Sequence, residues 1–286
     1  MVKSGINTIG ILFYPLRPDS AELADEVSTM FDERGVSVWR GDVRDEQALR
    51  AVAPDLDMLL TLGGDGTIVR ATRNVSAFGV PLLGVNLGTL GFLAEVEPTD
   101  VEAAVTAVLD GKYTIEDRMM LHMELRRDGK TVLETEAVND VFLGRGITSR
   151  KVHVSVEVDG YHVMTQVADG VIVSTPTGST AYCLAAGGPI IAPDLDCITL
   201  TPVAPHLSLA HAVVIPPTRT LCLRLIRGEG AIVTVDGQVD SLLDPGDQVR
   251  HSASEFSARF VRFGGDGSFY ETVLRRLRWP DQRPKE

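Results

Sequence analysis

The amino-acid sequence predicts an α/β N-terminal domain with a mostly parallel sheet, followed by an all-β sandwich domain and a C-terminal segment that returns to the first domain. Three observations lead there. Over the first hundred or so residues, short apolar runs alternate with helical patterns, as in α/β domains. From about Asp117 the period changes to alternating segments separated by Asp-Gly turns. Phe269 to Arg278 then turns helical again, so the chain folds back at its end. The expected boundaries are 1–116, completed by about 262–286, and 117–261.

Taken in order, Ile9 to Tyr14 reads as the first strand, followed at once by Pro15, Arg17 and Asp19. A helix follows from about Ser20 to Arg34. Ser20 is its expected cap, and Leu23, Val27, Met30 and Phe31 share one face until Gly35 ends it. Met58 to Leu62 and Leu82 to Val85 read as buried strands, each running into a Gly-rich turn, and Thr99 to Leu109 reads as a helix stopped by Gly111. In the second half, His122 to Arg126, Val152 to Val158, Leu221 to Ile226 and Ile232 to Val235 are strands. Their turns fall at Asp128-Gly129, Asp159-Gly160 and Asp236-Gly237.

With 286 residues, 44% of them hydrophobic, the chain can bury a sizeable core. A net charge of −12 argues against a partner such as nucleic acid or anionic lipid, which selects a basic surface. No stretch approaches the ~18 apolar residues of a membrane span, so no membrane partner is expected and the chain belongs in the cytoplasm. Cys183, Cys197 and Cys222 show no metal or disulfide spacing and read as reduced, buried thiols.

The densest chemical signal is Leu62-Gly63-Gly64-Asp65-Gly66-Thr67, between an apolar strand and a helix. Strand ends of open parallel sheets bind ligands. Here three glycines bring backbone N–H groups close to phosphates, and the following helix adds the positive end of its dipole. A carboxylate beside phosphates needs a reason: Asp65 is either a base for a substrate hydroxyl or the partner of a bound cation. Gly264-Gly265-Asp266-Gly267-Ser268 nearly repeats the pattern, and local sequence does not separate the two. Asp128-Gly129-Lys130-Thr131 is a hairpin turn, because Glu124 stands where a P-loop has its first glycine. Gly144-Arg145-Gly146 lacks the third glycine of a dinucleotide fingerprint.

Asp169 to Tyr182, running on to Gly187-Gly188-Pro189, delivers hydroxyls, small residues and one aromatic from a buried strand, Val171 to Val173. That suits a nucleoside, although Ser/Thr side chains also bond their own backbone. Asn139-Asp140, at a strand end, alone reads as a turn or cap. His122, His153 and His162 form no ligand or catalytic set, and Arg275 to Trp279 reads as the solvated end of a helix.

Together with Gly84 to Leu93 and Pro205-His206-Leu207-Ser208, these segments resemble the NAD kinase family in order and spacing over nearly the whole chain. The resemblance implies transfer of the ATP γ-phosphoryl group to the adenosine ribose 2′-hydroxyl of NAD, with a divalent cation such as Mg²⁺ accompanying ATP. It implies that Asp65 takes the hydroxyl proton while Gly63, Gly64, Gly66 and Thr67 hold phosphates. Asn139 and Asp140 would bind the ribose and adenine side, and Thr177, Thr180, Ala181 and Tyr182 the bases, with Asp169 near the nicotinamide amide. Arg70, Arg150, Val167, Ala185, Ala204 and Gln238 fall at further nucleotide-facing positions. A homodimer or homotetramer is implied; the sequence itself shows no dedicated protein cage for a metal. Asp140 stands where Glu is common, and Val167 where the family varies, which leaves NAD and NADH both open. GGDGS at 264 to 268 matches no family active-site motif and becomes a strand-to-helix turn. The GGDGT loop also resembles diacylglycerol and sphingosine kinases, but Asp169 to Pro189 offers no apolar groove for a lipid. A non-catalytic NAD(P) sensor is the remaining alternative.

Overall fold

The computed structural model describes residues 5–88, 91–146, 151–207, 210–264 and 268–277. The chain divides into two compact units, Met1–Asp117 with Ala258–Glu286, and Arg118–Ser257. It passes from one to the other within its two longest strands.

The first unit runs β1 (Thr8–Phe13), α1 (Pro18–Asp32), β2 (Ser37–Asp42), α2 (Glu46–Val52), β3 (Met58–Gly63), α3 (Asp65–Val75), β4 (Leu82–Asn86) and α4 (Val101–Leu109). β2, β1, β3 and β4 pair in that order, all parallel. β1, β3 and β4 are apolar on both faces because helices cover both. Val27 and Phe31 of α1 and Val101, Val105 and Val108 of α4 pack on one face of this sheet. β2 and α2 lack a strong apolar period, so the sequence pattern does not mark them: β2 is a half-exposed edge strand, and α2 buries only Leu49. Ser20 is not a cap. The helix begins at Pro18, and Ser20 lies inside it, fully buried, with its Oγ accepting the Tyr14 N–H at 3.1 Å. Proline at the first helical position supplies the start instead, since it has no N–H to leave unpaired.

The second unit begins in β5 (Thr114–Arg127) and continues through β6 (Lys130–Ala137), β7 (Asp140–Arg145), β8 (Val152–Val158), β9 (Tyr161–Ala168), β10 (Gly170–Ser174), the short helix α5 (Tyr182–Ala185), β11 (Ile198–Val203), β12 (Val213–Ile215), β13 (Leu221–Arg227), β14 (Ala231–Val235) and β15 (Val239–Leu243). β16 (Gln248–Arg262) carries the chain back, and α6 (Ser268–Leu277) closes it. One sheet has the order β12-β11-β10-β7-β14-β15, and the facing strands include β16-β13-β8-β9 with the β5–β6 hairpin. Inward residues of both layers form a single core, including Leu125, Val141, Leu143, Val154, Val171, Val173, Leu223 and Val233. The unit is therefore an antiparallel sandwich. Asp-Gly pairs close three hairpins with positive φ at both residues: 50° and 76° at Asp128-Gly129, 50° and 82° at Asp159-Gly160, 52° and 65° at Asp236-Gly237. That geometry matches the twist of the flanking strands. In the first unit the end of β16 lies parallel to β4, Phe260 beside Leu82. Of the second glycine loop, residues 265–267 lie outside the described residues.

No helix among the described residues is long and apolar enough to cross a membrane.

Candidate active site

In the first unit the chain steps from β1 outward to β2, then crosses to β3 and continues to β4. The winding thus reverses between β1 and β3, and the space beyond their carboxyl ends is where open α/β sheets bind ligands. β3 ends there at Gly63 and α3 starts at Asp65, with Gly64 as its extended cap residue. Thr67 and Ile68 donate their N–H groups to the Gly64 carbonyl at 2.9 and 3.2 Å. A Cβ on Gly63 would lie 2.4 Å from Thr67 Oγ1, so glycine is required there by packing. A Cβ on Gly64 or Gly66 would meet nothing within 4 Å. Among the described residues nothing crowds these two positions, as a helix start that meets an anion requires.

Asp65 is half-buried on the first turn of α3, where the helix dipole favours a carboxylate. Its Oδ2 accepts the Phe92 N–H at 2.7 Å and its Oδ1 the Leu93 N–H at 3.2 Å. Gly91 makes this approach possible, since a Cβ there would sit 2.0 Å from Oδ1. Thr67 is buried, and its Oγ1 lies 3.5 Å from the Tyr14 hydroxyl at the end of β1. Arg70, one turn further along α3, faces Glu46 of α2 at 3.8 Å.

In the second unit, Asn139 and Asp140 open β7. Asp236, in the turn between β14 and β15, accepts the N–H groups of Val138, Asn139 and Asp140 at 3.0, 2.8 and 3.1 Å. Thr175 holds the other side: its N–H donates to the Asn139 carbonyl at 2.9 Å and its Oγ1 to the Val138 carbonyl at 2.7 Å. Gly178 then packs so closely that a Cβ would lie 2.0 Å from the Asn139 oxygen. Burial, with Asp236 adding like charge, pushes the Asp140 carboxyl up to about 7, and the Tyr182 N–H that it accepts acts in the opposite direction.

Much of the hydroxyl cluster serves its own backbone, as its composition allowed. Ser179 Oγ bridges both backbone groups of Ile191, and Thr180 Oγ1 donates to the Thr177 carbonyl at 3.1 Å. Thr177 differs: its hydroxyl is buried without a hydrogen-bond partner among the described residues. A buried unpaired hydroxyl costs about 1–3 kcal/mol, which a ligand can recover. Ala181 and the exposed Tyr182 and Ala185 follow on the short helix. The Tyr182 ring meets Phe142 edge-on, with centroids 5.5 Å apart. Phe142 in turn lies across Gly144 and Gly170, paired on neighbouring strands, where a Cβ would strike its ring at 2.1 and 2.2 Å.

Asp169 pairs with Arg145 at 3.0 Å and sends its N–H to the Val203 carbonyl. Val167 accepts the His206 N–H at 2.7 Å, next to Ala204, an exposed residue held at φ 46°. Gln238 is half-buried beyond the Asp236-Gly237 turn and donates its N–H to the Val235 carbonyl at 2.9 Å. Arg150, Thr89, Leu90 and Ser208 lie outside the described residues. Tyr14, Gly91, Phe92, Phe142 and Asp236 were missed as site residues. The Asp-Gly turn marks Asp236 only as a turn, Gly91 and Phe92 stand only within the Gly84 to Leu93 segment that carries the resemblance, and nothing local marks Tyr14 or Phe142.

A carboxylate held by backbone amides beside a glycine loop at a helix start, in a chain that also carries a hydroxyl-rich segment running to an exposed tyrosine, fits a phosphotransferase acting on nucleotides. Family models narrow the class: the ATP-NAD kinase N-terminal domain matches residues 9–113 and the ATP-NAD kinase C-terminal domain matches 138–263. The NAD kinase of Symbiobacterium thermophilum is 42% identical over 224 residues, covering 78% of this chain and 79% of the relative. That of Heliobacterium modesticaldum is 37% identical over 278 residues, covering 94% and 98%. Among solved structures, yeast NADH kinase complexed with NADH superposes with a TM-score of 0.85 at 25% identity, over 98% of this chain and 90% of that one. An NAD kinase from Archaeoglobus fulgidus in complex with ATP gives 0.75 at 25% identity, over 95% and 98%. The chain belongs to the NAD kinase family and has that family's activity, the phosphorylation of NAD.

Proposed function

We propose that the chain transfers the γ-phosphoryl group of ATP to the 2′-hydroxyl of the adenosine ribose of NAD, with Asp65 as proton acceptor. The observation that carries this reading is the Asp65 carboxylate, fixed by two amides beside Gly64 and Gly66, where a Cβ would meet none of the described residues within 4 Å. A bond forms between the ribose 2′-oxygen and Pγ, the bond from Pγ to the β–γ bridging oxygen breaks, ADP leaves, and the hydroxyl proton passes to Asp65. An aspartate is a weak base toward a sugar hydroxyl, but phosphoryl transfer draws most of its rate from positioning and charge neutralisation. Gly63, Gly64, Gly66 and Thr67 hold phosphates, and Arg70 adds positive charge. Asn139 and Asp140 take the ribose and adenine side. Thr177, Thr180, Ala181, Tyr182 and Ala185 receive the rings, with the Thr177 hydroxyl gaining its missing partner. Asp169, Val167, Ala204, Gln238 and Arg150 border the nicotinamide side.

Among the described residues no three His, Cys, Asp or Glu side chains gather to hold a metal. A divalent cation that comes with ATP would be shared by Asp65, the loop carboxylate. Such an ion supplies neutralisation of phosphate charge. The enzyme works in the cytoplasm as a homodimer or homotetramer.

The test incubates purified protein with NAD, ATP and Mg²⁺ and reads NADP through a dehydrogenase specific for NADP. Wild-type signal, absent in Asp65→Ala that still binds NAD, supports the reaction and the base. Normal turnover by Asp65→Ala refutes the role of Asp65, and no NADP from folded, NAD-binding wild type refutes the reaction.

A further inference from the structure

Both oxygens of Asp65 are held by a stretch 27 and 28 residues further along, and that stretch has no regular secondary structure of its own. What fixes it comes from the other end of the chain. Arg262, the last residue of β16, donates from Nη1 to the Leu93 carbonyl at 3.0 Å. The same nitrogen reaches Glu95 Oε2 at 3.0 Å, and Nε reaches Glu116 Oε2 at 2.7 Å. Phe263 adds its N–H to Glu95 Oε1 at 2.9 Å. The Arg262 side chain is only 12% exposed, so these charge-assisted bonds form where solvent competes little and geometry is tightly set. On α6, the guanidinium of Arg276 lies 4.7 Å from the centroid of the Phe92 ring, within cation–π range. The C-terminal arginines therefore do more than solvate a helix end: one of them covers the residue whose amide binds Asp65.

We propose that Arg262 and Arg276 are positioning residues for Asp65, pinning the Leu93 carbonyl and the Phe92 ring so that the two amides hold the carboxylate toward the acceptor hydroxyl. The proposal rests on the reading of Asp65 as proton acceptor. Each carboxylate oxygen carries two lone pairs, so the amide bonds leave one on each oxygen for the proton. There is no slack at Gly91, where even a methyl group would overlap Oδ1. Any drift of the stretch therefore moves the base itself, and a misplacement of about 1 Å costs on the order of a hundredfold in rate.

The experiment measures kcat, KM for NAD and for ATP, and Tm for Arg262→Gln, Arg276→Met and Arg276→Lys, with Asp65→Asn as reference. Arg262→Gln is expected to lower kcat about tenfold and Arg276→Met about threefold, with both KM values within about twofold of wild type. Arg276→Lys keeps a cation over Phe92 and is expected to restore kcat. Arg276 is half-buried on α6 and its substitution leaves the Arg262 ion pairs in place, so its pair of variants carries the test even where Arg262→Gln, which takes a guanidinium away from Glu95 and Glu116, lowers Tm. Wild-type kcat in Arg262→Gln and Arg276→Met, a loss that appears as raised KM, or a loss that lysine does not recover overturns the positioning role. Wild-type turnover by Asp65→Asn overturns the reading of the base and the proposal with it, whereas an inactive Asp65→Asn beside unaffected arginine variants overturns the proposal alone.

Discussion

Asp140 and His251 carry opposite pH signatures inside the sandwich unit, and one substitution separates them. Asp140 is 6% exposed, and burial first, then Asp236, pushes its carboxyl from 3.8 up to about 7. The folded protein holds this proton more tightly than the unfolded chain. The resulting stability is complete below pH 3.8 and is lost as pH rises through 7. At about 1.4 kcal/mol per tenfold change in proton affinity, the loss amounts to about 4 kcal/mol. His251, 1% exposed, is pushed by burial from 6.5 down to about 4. Its contribution is present above pH 6.5 and is lost as pH falls toward 4, about 3 kcal/mol in the other direction. Between pH 4 and 6.5 the two slopes nearly cancel in the wild type. Asp140→Asn removes one of them while keeping an oxygen that can accept the Tyr182 N–H. In thermal unfolding without nucleotide from pH 4 to 8.5, the Tm difference between variant and wild type is expected to grow with pH in favour of the variant. It levels off above pH 7, after a rise on the order of 10 °C across the range. The variant alone should lose stability toward acid, following His251. A Tm difference that stays flat, or that grows toward acid, refutes the account of both burial and sign.

Three further perturbations test the site directly. Gly91→Ala places a methyl carbon 2.0 Å from Asp65 Oδ1; kcat should fall about a hundredfold while NAD affinity, read by calorimetric titration, stays near wild type. Gly178→Ala drives a Cβ into the Asn139 carbonyl, which is backbone and cannot rotate away; urea unfolding should show a loss of about 1–3 kcal/mol, and NAD affinity should fall with it. Phe142→Leu removes the ring that Tyr182 meets edge-on, a contact of about 0.5–1.5 kcal/mol; KM for NAD should rise several-fold with kcat nearly unchanged, and an unchanged KM would show that Tyr182 needs no such support.

The parts of this molecule legible in the sequence are those whose physics is local. Asp-Gly turns announce themselves because only a few residue types accept positive φ at adjacent positions, and the three hairpins lie where Asp128, Asp159 and Asp236 place them. β1, β3 and β4 read clearly because a strand covered on both faces is a continuous apolar run. β2 was not legible: it is an edge strand, its residues alternate weakly, and its place is fixed by parallel pairing with β1 rather than by its own pattern. The start of α1 differs from its sequence pattern for a related reason. Ser20 has the right chemistry for a cap, but its hydroxyl is used by Tyr14, and Pro18 already begins the helix.

The same division separates the two halves of the chemistry. On the shelf proposed to take the nucleotide, Asn139 and Asp140 are set by a hairpin turn and by Thr175 just beyond β10, so the pairing of β7 with β10 and β14 places them. On the phosphate loop, the sequence delivers Asp65 but not its orientation, which depends on amides of residues 92 and 93 and, behind them, on Arg262 and Arg276. Contacts of that range leave no periodic trace, because each needs only one residue of the right type in the right place. It follows that substitutions far from the loop in sequence, at the end of β16 and in α6, should act on turnover, while those between Val138 and Tyr182 should act on nucleotide affinity. A scan of both segments that found kcat and KM effects mixed without regard to segment would show that the base and the shelf are not independently built.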